Sequence, residues 1–212
     1  MSPVLTAVIM TLLMVSAATA APPSFCNGLD CPIWIESKNC TSPTGSFEIR
    51  RYPAYRWVTA AVRQKLWDNA TETAFPYLLE YLQQTGVKPA TPILTAIRKS
   101  TVVPGDYLFD VSIFLPYANQ ANPPPSPVPG VFIGEYPEVV VAVRSFPGFV
   151  KTWTDLAPQL LALETQTKSV GITTVPEVGS VSQYDPLAVP APQRYNEFSL
   201  VITGGIPASC AF

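Results

Sequence analysis

The sequence predicts an α+β chain built as two β-α-β-β halves that share one core. Three observations predict it. Residues 47–62 read FEIRRYPAYRWVTAAV, an apolar strand pattern on Phe47, Ile49, Trp57, Val58 and Val62 that bends at Tyr52-Pro53. Pro has no N–H to give a ladder, so Pro53 marks a bulge or an edge. The pattern returns at 131–146, VFIGEYPEVVVAVRSF, with Tyr136-Pro137 falling on Tyr52-Pro53, Ile133 on Ile49 and Ala142 on Val58. Each copy runs into a Trp-bearing helical segment, near Trp67 and Trp153, and then through two further extended stretches. A shared order of elements is what makes this a repeat and not a chance match.

The elements follow in chain order. Residues 4–15 form an apolar run ending in Ser16-Ala-Ala-Thr-Ala20, whose small residues fit signal-peptidase cleavage after Ala20. The run is too short for a bilayer, which needs ~20 apolar residues. Residues 1–20 are therefore expected to be a signal peptide, 21–212 one secreted extracellular domain. Cys26, Cys31, Cys40 and Cys210 give an even count behind a signal sequence and predict two disulfides. A strand at 33–38 would hold Cys31 and Cys40 too far apart to pair, and one bridge is expected to tie Cys210 to the N-terminal segment. Asn39-Cys-Thr41 and Asn69-Ala-Thr71 are glycosylation sequons.

After the 47–62 strand, Asp68 or Asn69 offers an N-cap. Trp67, Ala70, Ala74, Leu78 and Tyr81 then repeat at helical spacing, with Phe75, Leu79 and Leu82 widening the apolar face. Pro76 kinks this helix and Gly86 ends it. Strands are expected at 92–97 and 107–115, the second alternating cleanly. Residues 117–130, with PPPSPVP, read as an extended Pro-rich connection between halves at 47–116 and 131–203. The second helix is expected over 154–168, capped by Thr154, with Trp153, Leu156, Ala157, Leu160, Leu161 and Leu163 as its apolar set. Strands at 178–184 and 197–202 and a tail held by Cys210 complete the chain.

Composition removes several function classes. Net charge is −2, 13% of residues are charged, and no basic cluster exceeds Arg50-Arg51, so neither nucleic acid nor an anionic membrane surface is an expected partner. The chain has no His, which excludes Ser-His-Asp, Cys-His and His-based metal chemistry. Oxidised cysteines leave no thiolate. Glu48, Glu72, Glu80, Asp106, Asp110, Glu135, Glu138 and Glu197 form no acid/base pair by spacing and read mainly as solvated. The expectation is a binding protein and not an enzyme. Helices laid on a curved sheet leave an apolar groove suited to a flat, apolar small molecule.

Several motifs together resemble the SOUL haem-binding protein family. They are Phe47-Glu-Ile-Arg-Arg-Tyr52, Ala74-Phe-Pro76 with Tyr81, Thr91-Pro-Ile93, Asn122-Pro-Pro-Pro-Ser-Pro127, Val143-Arg-Ser-Phe-Pro-Gly-Phe149, Tyr184-Asp-Pro186 and Arg194-Tyr-Asn-Glu197. The resemblance covers residues 31–203. It implies a distorted antiparallel β-barrel of two pseudo-symmetric β-α-β-β repeats with two outer helices. It also implies haem or another tetrapyrrole bound beside the first helix by apolar contact and propionate pairing. Carried onto this chain, the groove residues are Glu72, Phe75, Leu79 and Glu80. The family's basic positions fall near Glu72, Glu80 and Val189, two acidic and one apolar. Carboxylates facing propionates in a part-buried groove would cost on the order of 1–4 kcal/mol. The iron is left without His or Met. The alternatives are an interaction protein of this fold that has lost haem, or a binder of another small apolar ligand.

Overall fold

The computed structural model describes residues 21–64, 67, 70–99, 107–176 and 179–212. The expected signal segment, the Asn69 sequon and the Asp68 or Asn69 cap lie outside the described residues.

The chain opens with a 3-10 turn at Ser24–Cys26. The first strand, β1, is Glu36–Ser42 and not 33–38. The turn at Pro43-Thr44, in which the Ser42 hydroxyl donates to the Gly45 carbonyl at 2.7 Å, folds the chain back and carries the pairing through Cys40 opposite Phe47. Cys31 stays outside the strand and bonds Cys26, while Cys40 bonds Cys210, so the tail is held to the N-terminal hairpin as expected. The long bent strand is β2 (Gly45–Tyr52) and β3 (Tyr55–Gln64), interrupted at Pro53-Ala54.

Helix α1 (Ala70–Thr85) buries Ala70, Ala74, Leu78, Tyr81 and Leu82, the stripe the spacing predicts. Gly86 ends it at φ +70°, its N–H donating to the Leu82 carbonyl at 3.0 Å. β4 (Ile93–Lys99) and β5 (Tyr107–Phe114) follow. The clean alternation expected of β5 is absent, because Phe109 to Phe114 are all buried. Val111 and Ile113 pack under α1, and Asp110 and Ser112 are covered on the opposite face. The Pro-rich connection contains a short helix, α2 (Tyr117–Gln120). Gln120 makes it useful: its amide donates to Leu115 O at 2.6 Å and Arg56 O at 3.0 Å and accepts from Arg56 N at 2.8 Å, which satisfies the ends of β3 and β5.

β6 (Val131–Tyr136) and β7 (Val139–Phe146) are the second bent strand. Helix α3 (Trp153–Ser169) starts from Thr152, not Thr154, because Asp155 accepts from Thr152 N at 2.8 Å in a capping box. Pro158 therefore lies in the second turn. Leu156 and Leu163 are buried with Gln166 and Thr167, whereas Leu161 is 67% exposed and drops out of the expected apolar set. β8 (Thr173–Thr174), β9 (Gly179–Gln183) and β10 (Asn196–Gly204) complete the fold.

All strand pairs are antiparallel, in the order β1-β2-β7-β10-β9-β4-β5-β3-β6, with β8 beside β10. The class is α+β as expected. The hydrogen-bonded path is open, running from β1 to β6 and not into a ring. Both long helices lie on one face, α1 over β3, β5 and β6, and α3 over β10, β7 and β2. The core is divided between them: Val58, Val111 and Ile113 sit under α1, and Ile49, Phe109, Ala142 and Phe198 under α3.

Candidate functional site

Of the α1 residues singled out by the sequence, Glu72, Phe75 and Leu79 fall within about 60° of one another around the helix axis, and Glu80 lies to the other side. Residues eight apart on a helix are separated by about 80° around its axis, so Glu72 and Glu80 diverge. Glu72 and Leu79 lie on the solvent-facing crest, opposite Ala74, Leu78 and Tyr81; Leu79 is 39% exposed. Phe75 sits on the flank, half-buried and packed against the core beneath α1. Glu80 accepts from Gln84 one turn on, at 2.7 Å. Val189 belongs to another element, the β9–β10 loop, where its N–H donates to Pro186 O at 3.0 Å. That loop is tied to the β7–α3 loop by Gly148 N to Ala191 O at 2.9 Å. A cleft of about 370 Å³ opens elsewhere, lined by Tyr55, Arg56, Tyr117, Gln120 and Glu135 among others, and none of the five expected residues lines it. Among the described residues no group of three or more His, Cys, Asp or Glu is placed to hold a metal ion.

The sequence reading missed a buried polar network on the sheet face away from the helices. Phe47 and Ile49 point into the core under α3, so Glu48 and Arg50 point the other way. Arg50, 3% exposed, donates to Glu48 at 2.7 Å and to Tyr52 at 3.1 Å and pairs with Glu197 at 2.8 Å. Glu197 also accepts from Tyr184 at 2.8 Å and Tyr195 at 2.9 Å. Trp34 lies 4.1 Å from the guanidinium, and Phe25 stacks on Tyr195 at 4.3 Å beside the Cys26–Cys31 bridge. Nearby, Arg194 donates to Asp185 O and Pro186 O, both at 2.7 Å, and fixes the β9–β10 loop. The three sequence motifs at 47–52, 184–186 and 194–197 thus meet in one structural knot. Its signal in the sequence was an Arg and a Glu set between apolar strand residues.

Burial alone would lower the Arg50 pKa, but Glu197, Tyr52 and Glu48 outweigh it and push the guanidinium further up. Burial first, then Glu197, pushes Tyr195 up to about 12 and Tyr184 well above the usual range. The folded state therefore holds these phenol protons more tightly than the unfolded chain does. The stabilisation is fully present below about pH 10, the unfolded value, and is lost as pH rises through the folded values. Buried Tyr184 and Tyr52, the latter likewise pushed up by burial first, each contribute up to about 1.4 kcal/mol per pH unit. Half-exposed Tyr195 adds less. Absorbance titration at 295 nm should show late tyrosine ionisation coinciding with loss of near-UV circular dichroism above pH 10. Titration of every tyrosine near pH 10 without unfolding would contradict this.

An antiparallel sheet with both long helices on one face defines the fold class, and its opposite face covers the Arg50–Glu197 network. The fold is similar to the C-terminal domain of EcmrR, at a TM-score of 0.52 and 8% identity over 79% of this chain and 98% of that one. Within that class the chain belongs to the SOUL heme-binding protein family, whose model matches residues 30–201. It is 36% identical over 126 residues to "Heme-binding protein 2" of Mus musculus, covering 57% of this chain and 62% of the relative. It is 33% identical over 135 residues to "Heme-binding protein 2" of Homo sapiens, covering 61% and 66%. The match thus spans less than two thirds of the length of these curated relatives.

Proposed function

We propose that the chain is a secreted tetrapyrrole-binding protein that holds a planar apolar guest against the outer surface of α1. The observation that carries this is the exposed Leu79 on the crest of α1, next to half-buried Phe75, in a member of a haem-binding family. The side chains fit the ring and not the metal. The sequence has no His, and its Met residues, 1, 10 and 14, fall in the expected signal segment, so neither His nor Met ligates iron here, and Tyr77, Tyr81 and Lys88 remain as weaker candidates. Glu72 and Glu80 meet propionates with the wrong charge. Binding by ring contact, of iron-free and iron-bearing porphyrin alike, follows from that donor set.

The reading includes export and glycosylation. Its support is the apolar run before Ala20, two disulfides, and an exposed Asn39 on the edge strand β1. It also includes a duplicated scaffold. Its support is a strand order that reads the same backwards once β2 is exchanged with β6, β3 with β7, β4 with β9 and β5 with β10. Tyr52 opposite Val139 and Tyr55 opposite Tyr136 is the register such an exchange requires. Because β2 runs into β3 and β6 into β7 through a Pro bend each, the two bent strands would close the sheet as a distorted barrel.

The acidic pair favours a second reading, an interaction protein of this fold that has lost haem. Titrating the mature protein with haemin and with iron-free protoporphyrin separates the two. The first reading expects tryptophan quenching by both ligands at micromolar concentration and a Soret shift without a sharp six-coordinate signature. Glu72→Arg should tighten binding. Glu72 is exposed and screened, so about 0.5–1 kcal/mol, or two- to five-fold, is expected. No quenching and no Soret shift removes the first reading. Unchanged affinity in Glu72→Arg moves the groove elsewhere.

A further inference from the structure

We propose that the sheet face opposite the helices carries a second ligand site, centred on Asp110, that takes a protonated amine attached to an apolar group. Strand alternation defines this face. Ile97, Phe109, Val111, Val58 and Ala60 point to the helix side, so Arg98, Asp110, Ser112, Thr59 and Trp57 point to the other. Two carboxylates are buried there, Glu197 on β10 and Asp110 on β5. Their surroundings differ in a way that assigns their roles.

Glu197 is saturated by Arg50, Tyr184 and Tyr195. Phe25 and Trp34 of the N-terminal segment cover that end, stacked on Tyr195 and over Arg50. Asp110 is 7% exposed and incompletely satisfied. Its Oδ2 is held by Arg98, a side chain half in solvent, and its Oδ1 is buried without a donor. A buried carboxylate oxygen lacking a donor costs free energy that a bound cation recovers. The residues directly opposite Asp110 are small, Ala61 on β3 and Ala96 on β4, and Arg98 of β4 reaches it from the next position on the same face. One register step away, Ser112 shares hydrogen bonds with Thr59 at 2.9 Å and with the Tyr136 hydroxyl at 3.3 Å. Tyr136 packs on Trp57 with ring centroids 5.8 Å apart. A carboxylate oxygen without a donor, small residues on both sides and an aromatic wall together select a compact ammonium carrying a ring. A neutral donor satisfies Oδ1 but brings no charge to the buried carboxylate, and an anionic guest is repelled by it. Arg98 stays on Oδ2, and the ligand takes Oδ1.

Benzylamine, protonated at pH 7, is the probe, and benzyl alcohol is its neutral control. Binding is read by calorimetry and by amide shifts of Ala61, Ala96 and Asp110 on the intact mature protein. Benzylamine should bind and shift those amides, benzyl alcohol at least ten-fold more weakly. Asp110→Asn should lose ten-fold or more. Ala96→Trp, which keeps the Asp110–Arg98 pair and fills the space beside it, should lose a comparable factor and covers the case in which Asp110→Asn fails to fold. No benzylamine binding would mean that Oδ1 faces only trapped water, and the proposal falls. It falls equally if benzyl alcohol binds as well as the amine, or if Ala96→Trp binds it as the parent does.

Discussion

Arg50→Met should cost about 3–5 kcal/mol of folding stability, the range found when one partner of a buried ion pair is removed. The reason is what remains. Glu197, 3% exposed, loses its cationic partner, and half-buried Glu48 loses its guanidinium donor as well. Tyr184 and Tyr195 still donate to Glu197, which places the cost toward the lower end. Adding Glu197→Gln should recover part of it at pH 7, since an amide needs no counter-ion. Urea midpoints of the single and double variants measure both effects. A midpoint unchanged in Arg50→Met would show that water, not Arg50, already compensates Glu197.

That network also marks where the sequence stopped being readable. The bent strands, the α1 stripe through Ala70, Ala74, Leu78 and Tyr81, and the tie from Cys210 to the N-terminal region were legible. Each rests on local periodicity or on chain connectivity. The pairing of Arg50 with Glu197 was not, because it needs the whole strand order β2-β7-β10 to bring 50 and 197 together. A charged residue on an alternating strand looks solvated until the far side of the sheet is known to be covered. Asp110 and Glu197 were read as solvent-facing for that reason. The start of α3 was misread by two residues, because Thr152 and Thr154 are both suitable caps and only the reach of Asp155 to the Thr152 backbone separates them. Phe75 and Leu79 look equivalent by spacing, yet one faces the core flank and the other water.

Removing the Cys40–Cys210 bridge should have the larger effect of the two disulfides. It joins residues 170 apart, against 5 for Cys26–Cys31. In the chain-entropy picture these closures are worth about 5 and about 2 kcal/mol, with typical measured values near 2–4 kcal/mol. The folded state adds to the contrast. Among the described residues, Cys40 lies in the edge strand β1, paired with β2, and Cys210 anchors a tail beyond β10 outside any strand. With the bridge gone, no cross-link ties β1 to the tail, and the tail stays joined to the sheet only through the backbone after Gly204. Cys40→Ser with Cys210→Ser should lower the urea midpoint well beyond Cys26→Ser with Cys31→Ser, and protease should cut first after Gly204. The smaller bridge should act locally, loosening Phe25 from Tyr195 with little change in global stability. Equal losses from the two pairs, or a larger one from Cys26–Cys31, would mean that the N-terminal cap over Arg50 and Glu197 holds the fold more firmly than the closure of the chain does.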